Sequence, residues 1–118
     1  MPAMHESQPP SLLKVSLVPE PPCLFLGLQG ELDFSNLNEV PRDEYSLRPD
    51  LTTVLVDLGE LTFCDVTGLG ALLTFRRIHE AQGRSVAVVR ASPIIRRLMR
   101  LCDITDWPDL ACSENTPV

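Results

Sequence analysis

Residues 63–70, read as F-C-D-V-T-G-L-G, place a carboxylate, a hydroxyl and two glycines between an apolar run and a stretch with helical spacing. Asp65 is a residue type that caps a helix, which puts the hydroxyl of Thr67 in the first turn. A phosphate on Thr67 would meet free N–H groups and the positive end of the helix dipole. It would also add about two negative charges beside Asp65. The same residues also suit a plain capping turn without regulation, so both interpretations stay open.

Catalytic chemistry needs positioned acid–base groups, a nucleophile with its base, or a metal. The chain has two histidines. His5 lies near the N-terminus, and His79 lies about 18 Å along the predicted helix from Thr67 at 1.5 Å per residue. No phosphate-binding G-x-x-x-x-G-K-[ST] loop and no cysteine spacing typical of a metal site occurs. We therefore expect no enzyme activity, no cofactor and no metal.

The charge of the chain is unevenly distributed. The net charge of −6 argues against non-specific nucleic-acid binding. Seven of the ten basic residues nevertheless fall within residues 76–100, beside one acid, Glu80. This cluster suits either a partner surface or ordinary solvated helix faces. No apolar run approaches the roughly 18 residues that span a bilayer, so we expect a cytoplasmic protein with reduced thiols and no membrane insertion.

The length and the periodic patterns predict one small α/β domain over residues 12–110 with a mixed sheet of four to five strands packed by helices. The predicted strands are 12–18, 23–29, 53–58 and 85–89. The predicted helices are 66–82 and 92–102, and a helix limited by Pro41 begins near Asp33 or Ser35. The nearly continuous apolar run at 53–58 predicts a strand covered on both faces. Residues 1–11 and 111–118 read as flexible tails, and we expect Trp107 to fold back onto the core.

Four motifs in chain order resemble those of a STAS domain of the anti-sigma-factor antagonist type. They are G-E-L-D at 30–33, V-L-V-D-L at 54–58, the F-x-D-[ST]-[ST]-G-L-type junction at 63–69, and S-P-x-[IV]-x-R-L-[LM] at 92–99. The resemblance covers nearly the whole chain and implies a small mixed sheet packed by helices. One departure is Val66, which occupies the first hydroxyl position of the junction, so that Thr67 is the single acceptor there.

The resemblance also implies a function. Unphosphorylated antagonists bind an anti-sigma factor, often a histidine-kinase-like Ser/Thr kinase, and so free a sigma factor. Phosphorylation by that kinase, at the position of Thr67, ends the interaction, and a phosphatase restores it. The implied partner-binding residues are those of the Asp33 turn and the junction: Asp33, Asp65, Thr67, Gly68, Leu69 and Gly70.

Two alternatives belong to other functional classes. A non-switching STAS subunit would use the same fold as a static scaffold for a transporter ATPase or a larger signalling assembly. A nucleotide-binding domain could use the arginines of residues 76–100 to neutralise phosphates, but the chain lacks a phosphate loop and metal ligands.

Overall fold

The computed structural model of the chain describes residues 10–107. Most of the predicted N-terminal tail and all of the predicted C-terminal tail lie outside these residues. The elements in chain order are β1 (Leu13–Glu20), β2 (Cys23–Leu32), a 3₁₀ helix (Phe34–Glu39), β3 (Thr53–Cys64), α1 (Val66–Ala81), β4 (Ser85–Ala91) and α2 (Pro93–Leu101). The strands and helices predicted from the sequence are therefore present, with the early helix in 3₁₀ form.

The four strands form one sheet in the order β1-β2-β3-β4. β1 pairs antiparallel with β2, whereas β2–β3 and β3–β4 are parallel pairs. Helix α1 connects the parallel strands β3 and β4, as a parallel crossover requires. This mixed four-stranded sheet packed by helices confirms the predicted fold class.

One face of the sheet carries the core. The core side chains of the three parallel strands alternate with half-buried or exposed ones, and they are Leu24, Leu26, Leu28, Val54, Val56, Leu58, Val86 and Val88. Leu72 and Phe75 of α1 and Ile95 of α2 complete the same cluster. On the other face Leu55 and Asp57 are only half-buried by the described residues. The prediction that both faces of β3 are covered is therefore wrong, because the helices pack on one side.

Strand β3 continues six residues beyond the predicted end at residue 58. The sequence L-G-E-L interrupts the apolar run, and this interruption marks a change in strand pairing rather than the end of the strand. Gly59 lies against the Arg90 side chain, since a Cβ at this position would lie 2.9 Å from the guanidinium carbon, and a larger residue there would displace that side chain. The extension carries the chain directly into Asp65 at the start of α1.

The arginines of residues 76–100 do not form a single surface. Arg84 is 6% exposed, and its guanidinium donates to the carbonyls of Leu51, Tyr45 and Arg48 at 2.8, 2.7 and 3.0 Å. Arg90 pairs with Asp57 on the open face of the sheet, through two contacts of 3.0 Å. Neither of the two sequence-based interpretations of this cluster fits Arg84, which instead holds the irregular loop between the 3₁₀ helix and β3.

Trp107 folds back onto the core, as predicted. Its side chain is buried, and the indole Nε1 donates to the Val86 carbonyl at 3.2 Å. The guanidinium carbon of Arg76 lies 5.4 Å from the centre of the indole ring, within cation–π range. The end of the described chain is thereby attached to β4 and α1.

Candidate functional site: the junction of β3 and α1

The carboxylate of Asp65 caps α1, as the sequence predicts. Its Oδ1 accepts hydrogen bonds from the Gly68 amide at 2.8 Å and from the Thr67 hydroxyl at 2.6 Å. These contacts lower the pKa of Asp65 from its usual range, and the hydrogen bond from Thr67 has the largest effect. The carboxylate is therefore ionised at neutral pH, and it fixes both the start of the helix and the direction of the Thr67 hydroxyl.

Thr67 is exposed in the first turn of α1. Its hydroxyl is not sequestered in the core, so an incoming enzyme or partner can reach it. Thr67 also lines a groove of about 430 Å³ between α1 and the segment that ends the 3₁₀ helix. The other lining residues are Leu37, Asn38, Val40, Pro41, Arg42 and Ala71.

Asp33 caps the 3₁₀ helix through a capping box. Its Oδ1 accepts from the Ser35 amide at 2.9 Å, while Asn36 Oδ1 accepts from the Asp33 amide at 2.9 Å. The adjacent Phe34 amide donates to Asp65 Oδ2 at 3.2 Å. The structure thus brings the Asp33 turn and the Asp65 junction together through one carboxylate.

The remaining three predicted site residues differ in their accessibility. Gly68 is buried, and a Cβ there would lie 2.7 Å from Leu32 Cγ. Leu69 is 2% exposed and belongs to the core. Gly70 is exposed, and a Cβ there would meet nothing within 4 Å. Gly68 and Leu69 therefore seat the helix against the sheet, and the Leu69 side chain is not available to a partner.

Three exposed apolar side chains, which the sequence motifs did not predict, lie at this junction. Phe34 is 76% exposed, Val66 63% and Phe63 42%. Phe34 and Val66 each directly follow a capping aspartate, which is the sequence signal that could have identified them. An apolar residue at the outward-facing first position of a helix has no core to enter. Single exposed apolar side chains are common on protein surfaces, and it is the position of these three at the junction that contains Thr67 that makes them candidates for contact with a partner.

The comparisons with known proteins identify the family. A sequence model of the family described as "Mlab, STAS domain" matches residues 17–110. Because this match spans most of the chain, the protein belongs to the STAS domain family. This family typically provides binding modules rather than enzymes. No curated protein matches the chain.

The solved structures support the same fold. SpoIIAA is described as an anti-sigma factor antagonist in its unphosphorylated form, and it superposes with a TM-score of 0.63 at 22% identity over 87% of this chain and 94% of its own. A phosphorylated form of SpoIIAA, from Bacillus, superposes with a TM-score of 0.62 at 23% identity, over 87% of this chain and 96% of its own. An anti-sigma factor antagonist from Mycobacterium paratuberculosis superposes with a TM-score of 0.64 at 16% identity, over 82% of this chain and 84% of its own.

A different kind of protein carries a similar domain. The murine anion transporter Slc26a9 gives a TM-score of 0.60 at 15% identity, over 71% of this chain and 14% of the transporter. Within residues 10–107, no helix is long and apolar enough to cross a membrane. At these identities the structural similarities show the fold alone.

Proposed function

We propose that this chain is an anti-sigma-factor antagonist, a cytoplasmic binding module that phosphorylation of Thr67 switches off. The observation that carries the proposal is the exposed Thr67 hydroxyl, held 2.6 Å from Asp65, with exposed apolar side chains on Val66, its neighbour in sequence, and on Phe34, whose amide donates to the same carboxylate. The unmodified surface binds an anti-sigma factor of the histidine-kinase-like Ser/Thr kinase type, and the sigma factor is released.

The switch follows from the chemistry of the hydroxyl. The kinase transfers the γ-phosphoryl group of ATP to Thr67 Oγ1: the bond between the γ-phosphorus and its bridging oxygen breaks, ADP leaves, and the hydroxyl proton passes to a base of the kinase. The hydrogen bond to Asp65 then disappears, and about two negative charges replace it beside a carboxylate that is already ionised. The helix tolerates these charges at its N-terminus, whereas a partner packed on Phe34 and Val66 would have to desolvate them. A phosphatase acting on phospho-Thr67 restores binding.

A static role is the second candidate. The domain could brace a transporter ATPase or a signalling assembly with the same surface. The hydrogen bond from the Thr67 hydroxyl to the capping carboxylate of Asp65 favours this candidate, because it gives the hydroxyl a structural role that needs no modification. The fold shared with Slc26a9 is compatible with such a role. The two candidates differ in whether a charge at position 67 changes binding.

The test is a quantitative pull-down from native lysate with wild type, Thr67→Ala, Thr67→Asp and Thr105→Asp as baits. Thr105 is an exposed threonine outside the junction, so Thr105→Asp controls for added charge. We expect a histidine-kinase-like protein to be retained by wild type, Thr67→Ala and Thr105→Asp and lost with Thr67→Asp. Retention of one ATPase or scaffold by all four baits would replace the switch with the static role.

A further inference from the structure

The groove beside Thr67 has one charged lining residue. Its walls are formed by the apolar side chains of Leu37, Val40 and Ala71 and by Pro41, and Arg42 stands among them as the single cation. Among residues 10–107 the Arg42 guanidinium forms no ion pair or hydrogen bond, in contrast to the paired Arg48, Arg76, Arg84 and Arg90. The groove is therefore lined by one arginine whose guanidinium has no polar partner within residues 10–107.

The backbone of Arg42 is fixed, whereas its guanidinium has no polar partner in the part of the chain that the structure describes. Its amide donates to Glu44 Oε1 at 2.7 Å, and its carbonyl accepts from His79 Nε2 at 3.0 Å. The fixed backbone sets the point from which the long, exposed side chain of Arg42 can reach into the groove. Thr67 lines the same groove as Arg42.

We propose that Arg42 is the internal partner of a phosphate on Thr67 and that their pairing closes this groove. The inference rests on the proposed function, because it assumes that Thr67 is modified. Asp65 faces the phosphate at hydrogen-bond distance from Oγ, so the new dianion stands beside a carboxylate and needs a counter-charge. A guanidinium supplies two parallel donors to phosphate oxygens. Asp43 and Glu44 are the acids nearest to Arg42 in sequence, and a dianion attracts the guanidinium more strongly than either.

This pairing gives the modification a second effect. Charge at the helix start repels a partner directly, and a guanidinium drawn across the groove also fills the space that a partner side chain would enter. The groove then changes from an open, largely apolar surface to one occupied by an ion pair, which keeps a net negative charge because one guanidinium offsets only part of the dianion.

The test uses the chain itself and needs no partner. Phosphothreonine is placed at position 67 during synthesis, and the phosphate is titrated by ³¹P NMR in the wild-type background, in Arg42→Gln and in Arg77→Gln. Arg77 is an exposed arginine of α1 that does not line the groove. Arg42→Lys is a fourth variant that keeps the charge. Amide spectra check that each variant is folded.

We expect the second pKa of the phosphate to be about 0.3 to 0.7 unit lower in wild type than in Arg42→Gln, as for an exposed ion pair. Arg77→Gln should match wild type, and Arg42→Lys should retain most of the shift. Equal pKa values in wild type and Arg42→Gln would overturn the pairing, while the pull-down separately tests the switch. The two proposals can fail separately. If the phosphate pKa depends on Arg42 but Thr67→Ala and Thr67→Asp bind the partner equally, the pairing of Arg42 with the phosphate stands and the phosphorylation switch is refuted.

Discussion

His79 and Arg84 form a buried pair of basic side chains in which Arg84 Nη1 lies 2.8 Å from His79 Nδ1. A guanidinium only donates hydrogen bonds, so Nδ1 must accept and the ring proton must sit on Nε2. That proton is donated to the Arg42 carbonyl at 3.0 Å. The pair therefore requires a neutral imidazole, because a protonated ring would direct an N–H group at a cation.

This arrangement predicts acid sensitivity. Burial lowers the pKa of His79 from its ordinary value of 6.5, the charge of Arg84 lowers it further, and the opposing effects of the Arg42 carbonyl, Glu44 and Asp43 are smaller. The unfolded chain therefore binds a proton more readily than the folded chain. Stability from this site is fully present above about pH 6.5 and is lost as the pH falls below it.

The measurement is the urea midpoint between pH 7.5 and pH 5, followed by fluorescence of the buried Trp107, the one tryptophan in the chain. We expect wild type to lose stability over this range and His79→Gln to lose less. The glutamine amide can accept a hydrogen bond from the Arg84 guanidinium and donate one to the Arg42 carbonyl, and it does not titrate. His5→Gln is the control, since these are the two histidines of the chain. Equal pH dependence in all three proteins would show that His79 does not titrate with unfolding.

The two glycines of the junction should respond oppositely to alanine. At Gly68 the new Cβ would lie 2.7 Å from Leu32 Cγ and 3.1 Å from Cys64 Sγ, so α1 must shift from the sheet. We expect Gly68→Ala to lower the free energy of unfolding by about 1–3 kcal/mol. At Gly70 nothing lies within 4 Å, and we expect Gly70→Ala to raise it by about 0.5–1 kcal/mol through helix propensity.

Urea unfolding of both variants tests this contrast, and each serves as the other's control for an added methyl group in the same helix. A Gly70→Ala protein as destabilised as Gly68→Ala would mean that the first turn of α1 cannot adopt regular helical geometry. A neutral Gly68→Ala would mean that Leu32 moves away at little cost.

The order of the elements and the chemistry of the junction could be predicted from the sequence because both depend on local signals. Asp65 was expected to cap α1 because its residue type and position are those of an N-cap, and the capping contacts confirm it. The exposed position of Thr67 in the first turn follows from the same signal. The end of β3 was predicted too early, because residues 59–64 continue the strand through pairing with β2 alone, after the pairing with β4 has ended at Leu58.

The burial of charged residues could not be predicted because it depends on tertiary contacts. Arg84 was counted with the other arginines, but its guanidinium satisfies carbonyls of a loop more than 30 residues earlier. His79 follows the apolar periodicity of α1, yet the pattern does not reveal that its ring bonds Arg84 and the Arg42 carbonyl. From composition alone, Arg84 and His79 would be counted as surface residues, whereas in the structure they are buried hydrogen-bond donors and acceptors.

The capping role of Asp65 can be separated from its charge. Asp65→Ala removes the acceptor of the Gly68 amide, the Thr67 hydroxyl and the Phe34 amide. We expect it to lower the free energy of unfolding by about 1–2 kcal/mol. Asp65→Asn keeps an oxygen acceptor and should cost well under half as much. Thermal or urea unfolding measures the free energy of unfolding of both variants. An equal decrease in the two would assign the effect to the negative charge at the helix N-terminus.

Phe34 should contribute affinity without contributing stability. Its side chain is 76% exposed and lies beside the junction, since its amide donates to Asp65 Oδ2. A partner that covers Thr67 would bury this ring, and a buried aromatic anchor commonly contributes more than 1 kcal/mol to binding. We expect Phe34→Ala to weaken binding of the kinase recovered by the wild-type bait about tenfold or more, measured by calorimetry with purified proteins. Its unfolding free energy should change by less than about 0.5 kcal/mol.

Leu47→Ala is the matched control for this prediction. Leu47 is 92% exposed and lines a groove with Gln82, at the opposite end of α1 from Thr67. A surface apolar residue that lies outside the binding surface should not change affinity when it is truncated. Equal weakening by both variants would indicate non-specific hydrophobic association, and weakening by Leu47→Ala alone would move the binding surface to the other end of α1. Loss confined to Phe34→Ala would place the partner on the surface that contains Thr67, where a phosphate can displace it.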